Sequence, residues 1–145
     1  MLFDAVKTRL EARVPALNHR VEAAAGLSTL IARGGVPDVE LAAYLTPLGM
    51  VPRGAASVSA GSYVQSVRDS IGVVLFARAG SRTGDDALDD IEGLLTSVIG
   101  ALAGWAPSGQ SGVFTFARSR LLSCSAGLLI YQIDFEIDDQ LRIAT

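Results

Sequence analysis

The segment 128–143, LLIYQIDFEIDDQLRI, most constrains how this chain can fold. Its odd positions are apolar from Leu129 to Ile137, and the even positions among them include Gln132, Asp134 and Glu136. Strict period-two alternation predicts a β-strand with one apolar face and one acidic face. A charged face on a long strand presents a surface and discourages the wrong sheet-edge pairing. The pattern therefore favours a protein that acts as a shaped surface over one that catalyses a reaction.

Composition narrows the classes of partner. The chain has 145 residues, which predicts a single domain (1–145) with a substantial core. Its net charge is −3 with one lysine, Lys7, and scattered arginines, whereas sequence-independent binding of nucleic acid needs clustered Lys and Arg. The single cysteine, Cys124, excludes an internal disulfide. No signal-peptide core or membrane-length apolar run is present, so the sequence predicts an intracellular soluble protein.

Hydrophobic periodicity gives an order of elements. We predict an amphipathic helix over 2–14 that Pro15 stops, and a long helix over 85–103 with aspartates in its first turn. Shorter or extended elements are predicted as follows: a short strand at 19–22, a short helix at 27–33, and strands at 39–48, 63–79, 113–122 and 128–143. This order predicts an α+β fold, a mainly antiparallel β-sheet with the long helix packed on one face and an N-terminal amphipathic helix.

The segment 49–61, GMVPRGAASVSAG, is the main loop predicted from the sequence. It is made of small residues and carries one charge, Arg53. A loop of this length in a compact domain is usually functional or disordered. We therefore predict that it is flexible in the free subunit and becomes ordered on docking, with Arg53 and Tyr63 as candidate contacts.

No catalytic or metal-binding pattern is found. Nucleophilic catalysis needs a nucleophile beside a base, and the one histidine, His19, lies in a polar stretch. The aspartates of GDDALDDIEG favour a helix N-terminus and lack the spacing of a calcium loop. Asp134, Glu136 and Asp138 are interpreted as three equivalent carboxylates on a solvated face. The sequence thus predicts a protein that is not an enzyme and needs no cofactor or metal.

Several phrases together suggest a family. The chain opens with the amphipathic helix, continues through GLSTLIARGGVPDVELAAYLTPLG, the small-residue loop and YVQSVRDSIGVVLFARA, and ends with DDALDDIEGLLTSVIGALAGWAP and LLIYQIDFEIDDQLRI. The phrases GWAP and YQIDFEI weigh most. In layout and local phrases the whole chain resembles the tail terminator, or tail completion, proteins of long-tailed bacteriophages and of phage-derived gene transfer agents.

The resemblance implies a structural role in the virion. Proteins of this kind form a hexameric ring on the last layer of the tail tube, stop its growth, and give the head-side connector a surface to join. It implies that the partners are further copies of the chain, the tail tube protein and a connector or neck protein, at the neck end of the tail and in the host cytoplasm during assembly. DNA would pass through the lumen without specific binding, and no membrane is involved.

Two other functions stay open at this point, a different neck or head–tail connector protein and a small α+β ligand-binding domain. For the ring, the sequence predicts that strands 113–122 and 128–143 lie near the subunit seam or the lumen. Opposite charges on these strands could pair within or between subunits. The candidate subunit or tube interface comprises Arg53, Tyr63, Arg118, Arg120, Asp134 and Glu136.

Overall fold

Two strands of 17 residues each form the centre of the molecule. A computed structural model describes residues 2–17, 20–23, 41–78, 84–110, 112–125 and 128–145. The elements in chain order are α1 (Leu2–Arg13), a 3-10 turn (Pro15–Leu17), β1 (Val21–Ala23), β2 (Leu41–Pro52), β3 (Ser57–Ser59), β4 (Ser62–Arg78), α2 (Gly84–Leu102), β5 (Phe114–Ser125) and β6 (Leu128–Ala144).

The strands form one six-stranded mixed sheet in the order β1-β2-β4-β6-β5, with β3 added to β4. Only β1 pairs in parallel, along Ala43 to Leu45 of β2, and the other described pairings are antiparallel. The strands β4 and β6 pair without a register shift from Ser62–Ala144 to Arg78–Leu128. The alternation seen in the sequence of β6 therefore acts in the middle of a sheet, with a neighbour on each side.

One face of the sheet carries the main core. The odd-numbered residues of β4 and β6 lie on this face, and α1 and α2 add side chains to the same cluster, since burial removes apolar surface from water. Its members include Val6, Leu10, Val73, Leu75, Ile91, Leu94, Val98, Ile133, Phe135 and Ile137. Phe114 at the start of β5 packs between Trp105 and Phe135, with ring centroids 6.0 and 6.4 Å away. Each fully buried side chain of this size contributes roughly 1.5–3 kcal/mol.

The predicted fold class is wrong. The described chain is mostly β, and its sheet is mixed because β1 joins in parallel. The strands cover about twice as many residues as the two helices, and each helix has its most extensive contact with the other helix rather than with any strand. The two helices therefore contact each other more than any one strand. A long helix lying along one face of the sheet does not describe the fold. The strand content exceeds the prediction because β2 runs on to Pro52, β5 runs on to Ser125, and β3 forms within the predicted loop.

The segment 49–61 is not an open loop in the structure. Residues 49–52 continue β2 beyond a bulge at Leu48, and Ser57–Ser59 pairs with Ser62 to Val64 of β4. Gly61 takes a positive φ of 81° in the two-residue connection between β3 and β4, a conformation that glycine adopts at little cost. Small residues were interpreted as a loop signal, although backbone pairing does not require large side chains. Flexibility of this segment stays a prediction.

Other boundaries move by a few residues. The first helix ends at Arg13, before Pro15 as predicted, and Pro15 opens the 3-10 turn. The final strand is confirmed, from Leu128 to Ala144. The predicted helix over 27–33 and His19 lie outside the described residues.

Candidate interaction surface

The even-numbered residues of β6 form a row on the face of the sheet opposite the main core. The row comprises Gln132, Asp134, Glu136 and Asp138, and we call it the acidic row. Gln132 and Asp134 are buried, at 7% and 6% exposure, whereas the side chains of Glu136 and Asp138 are 33% and 50% exposed. The prediction of three equivalent solvated carboxylates is therefore wrong. Burial increases toward the end of the row that continues into the apolar cluster of Tyr44, Val74 and Phe76.

Asp134 is held by two donors at the buried end of the row. Arg118 Nε, from the facing position on β5, donates to Asp134 Oδ2 at 2.9 Å. Gln132 Nε2 donates to Asp134 Oδ1 at 2.7 Å. Both carboxylate oxygens thus accept a bond, which offsets the cost of burying the charge. The guanidinium side chain remains 62% exposed, so this ion pair connects a buried acid to solvent.

A glycine makes room for this buried end. Gly72 of β4 lies beside Asp134 on one neighbouring strand and Thr46 on the other. A Cβ atom at Gly72 would lie 2.9 Å from Thr46 Cγ2 and 3.3 Å from Gln132 Nε2. The roles of Gly72 and Gln132 beside Asp134 were not predicted, because the alternation within one strand does not show which strands become its neighbours.

Two arginines hold the exposed end of the row. Arg68 of β4 faces Asp138 and donates from Nε to Oδ1 at 3.0 Å, and its Nη1 lies 3.5 Å from Glu136 Oε2. Arg53 Nη1 donates to Asp138 Oδ2 at 2.6 Å. The hydrogen bond from Arg68 is the main reason that the pKa of Asp138 lies below its ordinary value, and the charges of both arginines add to the effect. Arg68 was missed in the sequence, although the alternation of β4 places it on this face.

The six predicted interface residues do not form one site. Asp134 and Glu136 belong to the acidic row, where Arg118 pairs with Asp134 and Arg53 pairs with Asp138. Arg53 is also fixed by its amide, which donates to the Ser66 carbonyl at 2.8 Å. Tyr63 is an odd-numbered residue of β4, so it lies on the other face, where its hydroxyl donates to Gln65. Arg120 is exposed on β5 and makes no ion pair among the described residues. Within the described chain the charges of the acidic row are therefore matched internally, which weakens its net field.

Asp69 is a carboxylate on the opposite face of the sheet, and no described cation contributes to its pKa. Burial raises the pKa of Asp69, and the nearby charge of Asp139 raises it further, while a hydrogen bond from the Ser70 amide lowers it. The pKa of Asp69 is thus raised and the pKa of Asp138 is lowered relative to the same ordinary value. The pKa values differ because burial, with the charge of Asp139, raises that of Asp69, whereas the hydrogen bond from Arg68, with the charge of Arg53, lowers that of Asp138.

A groove of about 800 Å³ lies between α1 and the segment after α2. Its walls include Leu2, Ala5, Trp105 and Pro107. Arg9 closes one side, because its Nε donates to the Ala101 carbonyl at 2.9 Å and its guanidinium lies 5.1 Å from the Trp105 ring centroid. The lining combines these apolar residues with polar ones from both segments, Asp4, Thr8, Ser108 and Gln110.

The described residues hold no group of three or more His, Cys, Asp or Glu side chains arranged to bind a metal ion. None of the described helices is both long enough and apolar enough to span a membrane. The chain is thus a mixed β-sheet protein in which one face of the sheet carries charged side chains that form ion pairs within the subunit.

A family model described as "Phage tail terminator protein" matches residues 2–145, and the chain belongs to that family. The resemblance seen in the sequence is confirmed. The family is one of structural virion proteins. No curated protein of known function matches the sequence.

A solved structure shares the fold. A chain from the structure "Virion of native gene transfer agent (GTA) particle" superposes with a TM-score of 0.60 at 17% identity, covering 97% of this chain and 95% of that one. At this identity the match shows a shared fold. A match to a second solved chain covers 97% of this chain and 94% of that one at 17% identity, but its TM-score of 0.36 is too low to indicate a shared fold.

Proposed function

We propose that this protein is a tail terminator in action as well as in family. Six copies form a ring on the last layer of the tail tube, stop tube polymerisation, and provide the tail-side surface for head–tail joining. The observation that carries the proposal is the family match over residues 2–145. The shared fold with a chain of a gene transfer agent virion supports it over the whole length. The role requires no catalysis and no cofactor.

The structure suggests how the predicted interface is divided. A ring is built head to tail, so each subunit presents two different surfaces. The large exposed apolar side chains supply contact area, and they fall into separate groups at Leu48, Met50 and Val51 on β2 and at Phe116, Leu121 and Leu122 on β5. Charged groups beside them set orientation more than affinity. Arg120, with no described ion-pair partner, is the candidate charge for a contact outside the subunit.

Two assays test the proposal. Negative-stain electron microscopy of the purified protein is expected to show six-fold rings, alone or on isolated tail tubes. Removal of the gene from a producing strain is expected to give tubes of uncontrolled length that lack heads. Tubes of normal length with heads attached in the absence of the protein would contradict the function. A different neck or connector protein would instead leave tube length normal and block joining alone.

Because Asp134 is buried, only the exposed end of the acidic row can be tested for assembly with charge variants. Reversing the charge of Asp134 would place a cation beside Arg118 in a buried setting, so it tests folding rather than assembly. Glu136→Gln with Asp138→Asn removes charge from the exposed end alone. If that end contacts a partner subunit or lines the lumen, this double variant lowers the yield of infectious particles while the isolated subunit stays folded. A normal yield of normal-length tails would show that the exposed end only faces solvent.

The segment 49–61 keeps its predicted role in docking in a narrower form. Arg53 ties it to Asp138 and to Ser66, whereas 54–56 lie between β2 and β3 and are largely exposed. We expect amide exchange at 54–56 to slow when the subunit joins the particle. Exchange at unchanged rates in free and assembled protein would remove docking from this segment.

A further inference from the structure

The two long sides of the sheet are finished in different ways. On β5 the amide of Phe114 donates to the Trp105 carbonyl, and its carbonyl accepts from Gly104, so both groups point away from β6. Phe114 pairs with Ile137, and residues paired with odd-numbered residues of β6 share its direction. Phe116, Ser119 and Leu121 therefore also turn their backbone groups outward. No described strand pairs with this side of β5.

The outer side of β2 is closed. Ala43 donates its amide outward to Arg20, and β1 covers Ala43 to Leu45. Continuing the alternation places Pro47 on the same outer side. Beyond the bulge Arg53 donates inward to Ser66, so Pro52 before it faces outward. A proline has no amide hydrogen to donate, and prolines on an outer side are a common block to strand addition.

The side of β5 has no covering strand and no proline, although register shifts at Ala117 and Leu122 interrupt it. From Phe114 to Ser125 it contains no proline and no lysine. Phe116 and Leu121, which pair with core-side residues of β6, are 42% and 51% exposed. On the opposite face it presents Arg118 and Arg120, which pair with Asp134 and Gln132. The open backbone groups thus lie between an apolar stripe and a cationic stripe.

Two occupants can be excluded by these features. The matching side of a second copy is closed by β1, Pro47 and Pro52. Pairing of β5 with β5 of a second copy would bring the cationic stripes together on one face, and like charges across strands are destabilising. The inner side of β5 already shows what it accepts, since β6 offers apolar residues on one face and carboxylates on the other.

We propose that the open side of β5 binds an extended segment of another tail protein, one that alternates apolar and acidic side chains and adds as a further strand. The backbone groups of Phe116, Ser119 and Leu121 would pair with it. Its apolar residues would cover Phe116 and Leu121, and its carboxylates would meet Arg118 and Arg120. Strand addition of this kind takes affinity from backbone hydrogen bonds and specificity from alternate side chains. The inference rests on the proposed function only in taking the partner from the tail.

A synthetic peptide with the sequence of residues 129–138 provides the probe, because it copies the strand that β5 already accepts. The control peptide carries lysine in place of its three carboxylates. We expect the first peptide to bind the full-length protein in fluorescence anisotropy and the control to bind at least about tenfold more weakly. In hydrogen exchange the amides of Phe116, Ser119 and Leu121 are expected to slow on binding, while amides that face β6 do not change.

Three variants sharpen the test. Ser119→Pro removes an outward amide while leaving the pairing with β6, and it is expected to weaken peptide binding by about tenfold or more, the value of one lost hydrogen bond. Arg120→Glu keeps the amide and reverses the charge, and it should also weaken binding. Arg142→Glu makes the same change on β6 beyond the reach of β5 and serves as the matched control, with binding unchanged. Thermal unfolding monitors whether each variant is folded.

Absence of peptide binding, or equal binding by Ser119→Pro that is folded, would overturn the inference. So would concentration-dependent dimerisation of the protein alone that Ser119→Pro abolishes, since a second copy would then occupy β5. Ring images separate the two proposals. Wild-type rings without peptide binding refute only the strand addition, and peptide binding without rings refutes only the ring function.

Discussion

Asp134 and Asp138 lie on the same face of the same strand, yet they have different surroundings. Asp134 is buried, with Gln132 and the exposed Arg118 as donors. Asp138 is half exposed, with Arg53 and Arg68 as donors. The identical residue type in an identical pattern thus serves the fold at one end of the acidic row and remains available at the other. The burial of each aspartate depends on whether neighbouring strands cover its position.

The largest effect is expected from Asp134→Ala. The substitution leaves the buried Gln132 amide without its acceptor and Arg118 without its partner, and an unmade buried hydrogen bond costs about 1–3 kcal/mol. Urea denaturation should show the loss as a lower midpoint with an unchanged slope. Glu136→Gln is the control at the exposed side and should stay within about 0.5 kcal/mol of wild type. Equal midpoints for the two variants would abolish the distinction between the ends.

Gly72→Ala tests whether the buried end is tightly packed. The new Cβ atom would meet Thr46 Cγ2 at 2.9 Å, and overpacking of this kind costs about 1–3 kcal/mol. Adding Thr46→Ser removes that methyl group and should restore part of the loss. Gly93→Ala, on α2 with no atom near its Cβ position, is the opposite control and should gain up to about 1 kcal/mol. A stable Gly72→Ala protein would mean that the pocket around Gln132 and Asp134 is loose.

Asp69→Asn asks whether partners or burial set the behaviour of a carboxylate on this sheet. The pKa of Asp69 is raised in the folded state, so its contribution to stability is full below the ordinary value of 3.8 and is lost as pH rises through the folded pKa. The variant should therefore gain on wild type as pH increases toward neutral. Asp139→Asn should act in the same direction by lowering the pKa of Asp69. A gain that grows toward acid pH would contradict this sign.

Asp138→Asn is expected to have the smallest effect at neutral pH. The pKa of Asp138 is lowered in the folded state, so its contribution is present above the ordinary value of 3.8 and is lost as pH falls through the folded pKa. The variant should unfold close to wild type at neutral pH and lose less stability in acid. High salt should reduce the remaining difference because both partners are exposed. A large neutral-pH loss would place Asp138 with Asp134 as a residue needed for folding.

Sequence reasoning reached the strands better than their environment. The alternation from Leu129 to Ile137 predicted β6 and its apolar face, because side-chain period depends on local backbone geometry alone. It could not show that Gly72 lies beside Asp134, since β4 and β6 pair although α2 and β5 intervene in sequence. Burial of Asp134 is a property of those neighbours. The prediction of a loop over the small-residue segment 49–61 was wrong for the same reason, because strand pairing with β4 depends on contacts that the local sequence does not show.

Part of the acidic row and its partners could be located from the sequence, whereas their role as an interface stays a prediction. Arg118, Asp134 and Glu136 do lie together, because opposite charges on consecutive strands of a hairpin are a local signal. Arg68 was missed because it lies on β4, which α2 separates in sequence from β5 and β6. Tyr63 was chosen for its position at the end of a predicted loop, and the structure places it on the other face from Arg53.

Pro47 and Pro52 give the subunit a property familiar from polymer chemistry. A monomer with two reactive ends grows into chains, whereas a monomer with one reactive end adds once and stops growth. By closing the β2 side of the sheet together with β1, the two prolines would leave each copy with one open side for strand addition. Copies at high concentration in a producing cell would then have no second open side from which fibres could grow.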